Sequence, residues 1–78
     1  MDNNFLDEKS TPKRQMLLQA AKSHFESNVE YTKANLKVYL ENPAGIGEHS
    51  DIMGEVIGFI KDLHEANECL DIVNDLLR

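Results

Sequence analysis

Eight apolar residues, Ile52, Val56, Phe59, Leu63, Ala66, Leu70, Val73 and Leu77, follow one another at alternating intervals of four and three. This is an a/d repeat sustained over almost four heptads, and it lays a continuous apolar ridge along one side of an α-helix. Such a ridge demands a second helix against which to close. Ser50 is a candidate N-cap, and Asp51 behind it is favourably placed by the helix dipole, so the pattern predicts a helix over about 50–77.

The facing helix is available in the same chain. Thr11 followed by Pro12 reads as an N-cap with proline at the first helical position, where its missing N–H costs nothing. Beyond Pro12 neither Gly nor Pro occurs until Asn42 and Pro43, and Leu18, Ala21, Phe25, Val29, Leu36 and Tyr39 recur on one stripe with Thr32 in the slot between. A helix over about 12–41 follows. Asn42 and Pro43 end it, because proline cannot continue the hydrogen-bond ladder and restricts the residue before it. Gly45 and Gly47 then supply turn conformations, giving a hinge over about 42–49.

A connection of this length suits antiparallel neighbours, and the two helices match in length. Pairing positions whose numbers total 91 or 92 sets Tyr39 against Ile52, Leu36 against Val56, Thr32 against Phe59 and Val29 against Leu63. The same register sets Phe25 against Ala66, Ala21 against Leu70 and Leu18 against Val73, so that large side chains repeatedly meet small ones. The expected fold is all-α: a helical hairpin over 11–78 with a coiled-coil-like seam, preceded by a flexible, disordered arm over 1–10.

At 78 residues the chain can bury only a small core, and such cores are usually reinforced by disulfides, a metal or a second chain. The lone Cys69 excludes an internal disulfide, and its neighbours lack zinc-ligand spacing. The opening MDNNFLDEKS holds no apolar run of signal-peptide or membrane-spanning length, so the expectation is a cytoplasmic protein with a reduced thiol and no membrane partner.

The formal charge of −6 argues against direct binding to nucleic acid, whose phosphates are held chiefly by clustered Lys and Arg. Charge is unevenly spread, however, at +1 over residues 1–40 and −7 over the remainder. The acidic second helix reads either as a solvated face or as a surface for a basic partner. Any nucleic-acid contact would fall to Lys22, Lys33 and Lys37 of the first helix.

A two-helix hairpin has one seam, so apolar residues pointing away from it call for a reason. Met16, Ala20, Tyr31 and Val38 point outward from the first helix; on the second, Met53, Ile57 and Ile60 near the hinge, with Ile72 and Leu76 near the end, lie beside or behind the seam. Scattered surface apolars are ordinary. The alternative is a second contact surface, for a partner protein or for a homodimer in which two hairpins form a four-helix bundle.

Chemical motifs are weak. His24, His49, His64 and Cys69 do not fall at metal-ligand spacing, and neither Ser50 nor Cys69 has a His-plus-acid constellation beside it. Gly45-Ile46-Gly47 lacks the preceding strand and the Gly-Lys-Ser/Thr ending of a phosphate loop. No enzyme activity, metal or cofactor is expected of the chain alone. Gly54 and Gly58 are each costly inside a helix, which points to a local constraint or a close partner contact.

The hinge carries one further signal. The stretch ENPAGIGEHSDIMGEVI, residues 41–57, resembles the Asn-Pro-x-Gly-x-Gly-Glu-His-x-Asp-Ile turn of a family of short helical-hairpin proteins from T-even-type bacteriophages, associated with the phage helicase UvsW. The matched positions are Asn42, Pro43, Gly45, Gly47, Glu48, His49, Asp51 and Ile52. Pro and Gly shape the turn and Asp51 serves the helix start, which leaves Glu48 and His49 without an obvious structural task. The resemblance implies a companion or modulator of a DNA helicase in phage recombination, replication and repair, acting in the host cytoplasm. Motor activity would belong to the partner. Two other classes stay open: a weak nucleic-acid-binding hairpin, and a self-associating structural hairpin or inhibitor of a host protein.

Overall fold

The computed structural model describes residues 11–42 and 51–78. The arm over 1–10 and the hinge residues Pro43, Gly45, Gly47, Glu48 and His49 lie outside them. The described residues form two helices, α1 from Pro12 to Glu41 and α2 from Ile52 to Leu77, packed as an antiparallel hairpin. The molecular extents, 53 × 22 × 16 Å, have the cross-section of two helices side by side.

α1 starts as its sequence dictates. Thr11 is extended (φ −110°, ψ 158°), and its Oγ1 accepts a hydrogen bond from the Arg14 backbone N–H at 3.1 Å while Pro12 occupies the first turn. At the other end the Asn42 N–H donates to the Val38 carbonyl at 3.0 Å, the last bond before the chain leaves the helix.

The start of α2 corrects the sequence reading. The cap is Asp51, not Ser50, and the helix proper begins at Ile52. The Asp51 carboxylate accepts from the Gly54 backbone N–H at 3.0 Å and folds back over that residue. A Cβ at Gly54 would collide with the Asp51 carboxylate, reaching Cγ at 2.8 Å and Oδ2 closer still. Gly54 is therefore accounted for by the cap, and needs no partner contact to explain it. Gly58 differs, since nothing lies within 4 Å of where its Cβ would stand.

All fifteen positions assigned to the seam are buried or half-buried. Burial is deepest at Val29 and Thr32 of α1 and at Ala66 and Val73 of α2, at 6–7% exposure, and no described side chain is completely enclosed. Two facing ridges can cover each other but not their own flanks. At the open end Arg14 ties the helices together: its guanidinium donates to the Leu76 carbonyl at 3.2 Å. The last turn of α2 holds no basic residue, and Arg14 of α1 adds its charge to that of the C-cap Arg78 at the negative end of the α2 dipole.

At the hinge end the simple ladder of facing pairs gives way to a diagonal. Tyr39 and Phe59 were expected opposite Ile52 and Thr32, yet their rings meet edge to face, 5.2 Å between centroids and 70° between planes. The Cα–Cβ bonds of a helix tilt toward its N-terminus. In an antiparallel pair, long side chains on the two helices therefore lean along the seam in opposite senses and meet between their own levels.

Candidate functional site

The described surface offers three regions to which the sequence assigns a role: the outward apolar residues, the helix ends that flank the hinge, and the α1 lysines. Each is placed by helical periodicity relative to the seam.

Met53, Ile57 and Ile60 stand at intervals of four and three, so they form one short stripe on α2 displaced from the seam stripe. Their exposures are 68%, 45% and 53%, and Leu40, in the last turn of α1 at the same end of the hairpin, is 63% exposed. Sequence reasoning did not place Leu40 outside. It directly follows the half-buried Tyr39, and a helix turns about 100° per residue, which carries Leu40 off the covered side. Asn42 and Asp51, the two described residues of the matched turn, border this patch as the caps of the two helices.

At the open end the two residues differ. Ile72 is exposed, at 57%, whereas Leu76 is half-buried beside the seam, where its carbonyl takes the Arg14 tie. Leu17, 58% exposed, belongs to this end and was not identified from the sequence. On the back of α1, Met16, Tyr31 and Val38 are 65%, 72% and 57% exposed, and Ala20 is exposed with them.

Lys33 and Lys37 are exposed, whereas Lys22 is half-buried along the seam margin. Glu26 and Glu30 share their flank of α1 at helical spacing, so the three lysines lie in a stripe of mixed sign rather than in a basic patch.

Between the helices runs an open groove of about 430 Å³, with His24, Asn28 and Tyr31 on the α1 side and Asp62, Glu65 and Cys69 on the α2 side. Its α1 wall is tied together locally. Asn28 Nδ2 lies 3.3 Å from His24 Nε2, one turn earlier, and the His24 and Phe25 rings meet edge to face at 5.0 Å between centroids. Asn35 Nδ2, one turn beyond Tyr31, donates to the Tyr31 carbonyl at 3.0 Å. Cys69 is a free, half-buried thiol. His64 lies outside the groove and pairs with Glu68 at 3.0 Å on the exposed side of α2.

Among the described residues no three His, Cys, Asp or Glu side chains converge as a metal site would require. None of the described helices is long and apolar enough to cross a membrane. Comparison with protein-family models, with curated proteins and with solved structures gives no match.

Proposed function

We propose that the hairpin is a non-enzymatic protein-interaction module, a companion or modulator of a DNA helicase in phage recombination, replication and repair. The observation that carries this reading is the apolar patch at the hinge end, where Leu40, Met53, Ile57 and Ile60 are all exposed. Grouped apolar residues on a small acidic protein are a docking surface in kind, since single surface apolars would be dispersed among charges. The patch borders the turn that resembles the phage hairpin proteins, and that resemblance supplies the class of partner. The acidic surplus of α2 supports attraction to a basic enzyme surface. Glu26 and Glu30, set among Lys22, Lys33 and Lys37, weigh against the nucleic-acid reading.

Co-purification with the branch-processing helicase of such a phage tests the proposal. The wild-type chain should be retained at low salt, and the double variant Ile57→Glu, Ile60→Glu should be lost from the complex while its helical circular dichroism persists. Retention of that folded variant at wild-type level, or no capture of the wild-type chain, overturns the reading.

A further inference from the structure

The back of α1 holds a second stripe. Met16, Ala20, Ser23, Ser27, Tyr31, Ala34 and Val38 recur at intervals of four and three on the side away from the seam, with Tyr31 at the edge that also borders the groove, and all seven are exposed. None is charged, in a chain of which 28% is charged. The stripe ends at Lys13 and at Glu41, each three residues beyond it and both exposed.

These end residues contradict the local rule for helix termini. The first turn of α1 has no acidic residue and its last turn no basic one; Lys13 sits at the positive end of the dipole and Glu41 at the negative end. Neither forms an ion pair among the described residues. A local rule broken at both ends of one face asks for compensation from outside the chain.

The spacing of the stripe is symmetric about Ser27. Positions whose numbers total 54 pair Lys13 with Glu41, Met16 with Val38, Ala20 with Ala34 and Ser23 with Tyr31, and leave Ser27 facing itself. The geometry points to a second copy of this chain as the occupant: two hairpins pack back to back through α1, antiparallel about a twofold axis at Ser27, forming a four-helix layer with α2 on its outer sides.

An isologous interface requires this self-complementarity. Lys13 of each copy lies opposite Glu41 of the other, so the dimer forms two such pairs and neutralises all four misplaced charges. A parallel pairing would instead set lysine against lysine and glutamate against glutamate. Ala20, Ser23 and Ala34 allow close approach, and Tyr31 finds the small Ser23 of the other copy opposite it. Glu26 and Glu30 oppose the association, because on one flank near the axis they face their own symmetry mates. The surface that the dimer covers is distinct from the hinge-end patch, and the inference does not depend on a helicase partner.

Sedimentation equilibrium of the full chain tests it. The wild type should dimerise reversibly. Lys13→Glu and Glu41→Lys should each weaken the dimer about tenfold by turning two attractions into two repulsions, although each improves its own helix end. The double variant carrying both reversals should restore association, and Glu30→Gln should tighten it. A second readout is covalent. Helix axes about 8–10 Å apart bring the two Ser27 Cα atoms to roughly 4–5 Å, within disulfide reach. In a Cys69→Ser background, Ser27→Cys should therefore oxidise to a dimer much faster than Lys33→Cys. A wild type that stays monomeric at every concentration, a charge swap that fails to restore association, or equal oxidation at positions 27 and 33 overturns the proposal.

Discussion

Tyr39 and Phe59 touch across the seam although their backbone levels differ by about 10 Å in the facing register. Each ring leans toward its own helix N-terminus, and the two directions converge near the level of Leu36 and Val56. This aromatic contact locks the hinge end of a hairpin that has few deeply buried residues. Edge-to-face pairs add about 0.5–1.5 kcal/mol beyond the area they bury. A double-mutant cycle of Tyr39→Leu and Phe59→Leu, followed by urea denaturation, should show a coupling of about 1 kcal/mol. Strict additivity would mean that the rings do not meet.

Gly58 is the simplest place to stabilise the protein. It stands inside α2 with empty space where a Cβ would go, so nothing offsets the conformational entropy that glycine loses in a helix. Gly58→Ala should raise stability by about 1 kcal/mol. A thermal melt that falls instead of rising would show that a backbone approaches this face closely in solution.

Gly54 should not share the gain of its neighbour four residues on. Alanine there gains helix propensity but displaces the Asp51 carboxylate that caps α2. The two effects are each about 1 kcal/mol, so Gly54→Ala should be nearly neutral. Asp51→Ala loses the cap without the gain and should cost about 1 kcal/mol. In the Asp51→Ala background the collision is gone, and Gly54→Ala should then recover its full benefit. Chemical denaturation of the four proteins checks this cycle.

Arg14 governs the open end. Its hydrogen bond to the Leu76 carbonyl spans the two helices and brings positive charge to the end of α2. Arg14→Ala should cost about 1–2 kcal/mol, since the bond has a charged donor. Hydrogen exchange should speed up most at the amides of residues 72–77. Uniform acceleration along both helices would assign Arg14 a role in global stability rather than in clasping this end. The Arg78–Asp75 pair nearby, with side chains 81% and 59% exposed, should matter little when either partner is removed.

Much of the architecture was legible before any coordinates. Alternating intervals of three and four determine which side of each helix is covered, because a helix repeats every 3.6 residues whatever its surroundings, and all fifteen residues so assigned are at least half-buried. Thr11 with Pro12 located the start of α1 for the same reason: capping depends on neighbours a few residues away. Asp51 beside Ser50 was harder, since either side chain can cap. The choice turns on whether a carboxylate has room to fold back, and the missing Cβ of Gly54 provides that room.

Contacts that depend on how two helices sit against each other could be decided only in three dimensions. The diagonal of Tyr39 and Phe59, the reach of Arg14 to Leu76 and the partial cover of Leu76 all arise from side-chain direction across the seam. Spacing along a single helix carries no such information. Helical period alone settles which ridges meet; packing in three dimensions settles how long side chains slant between those ridges, and which apolar residues two helices leave uncovered.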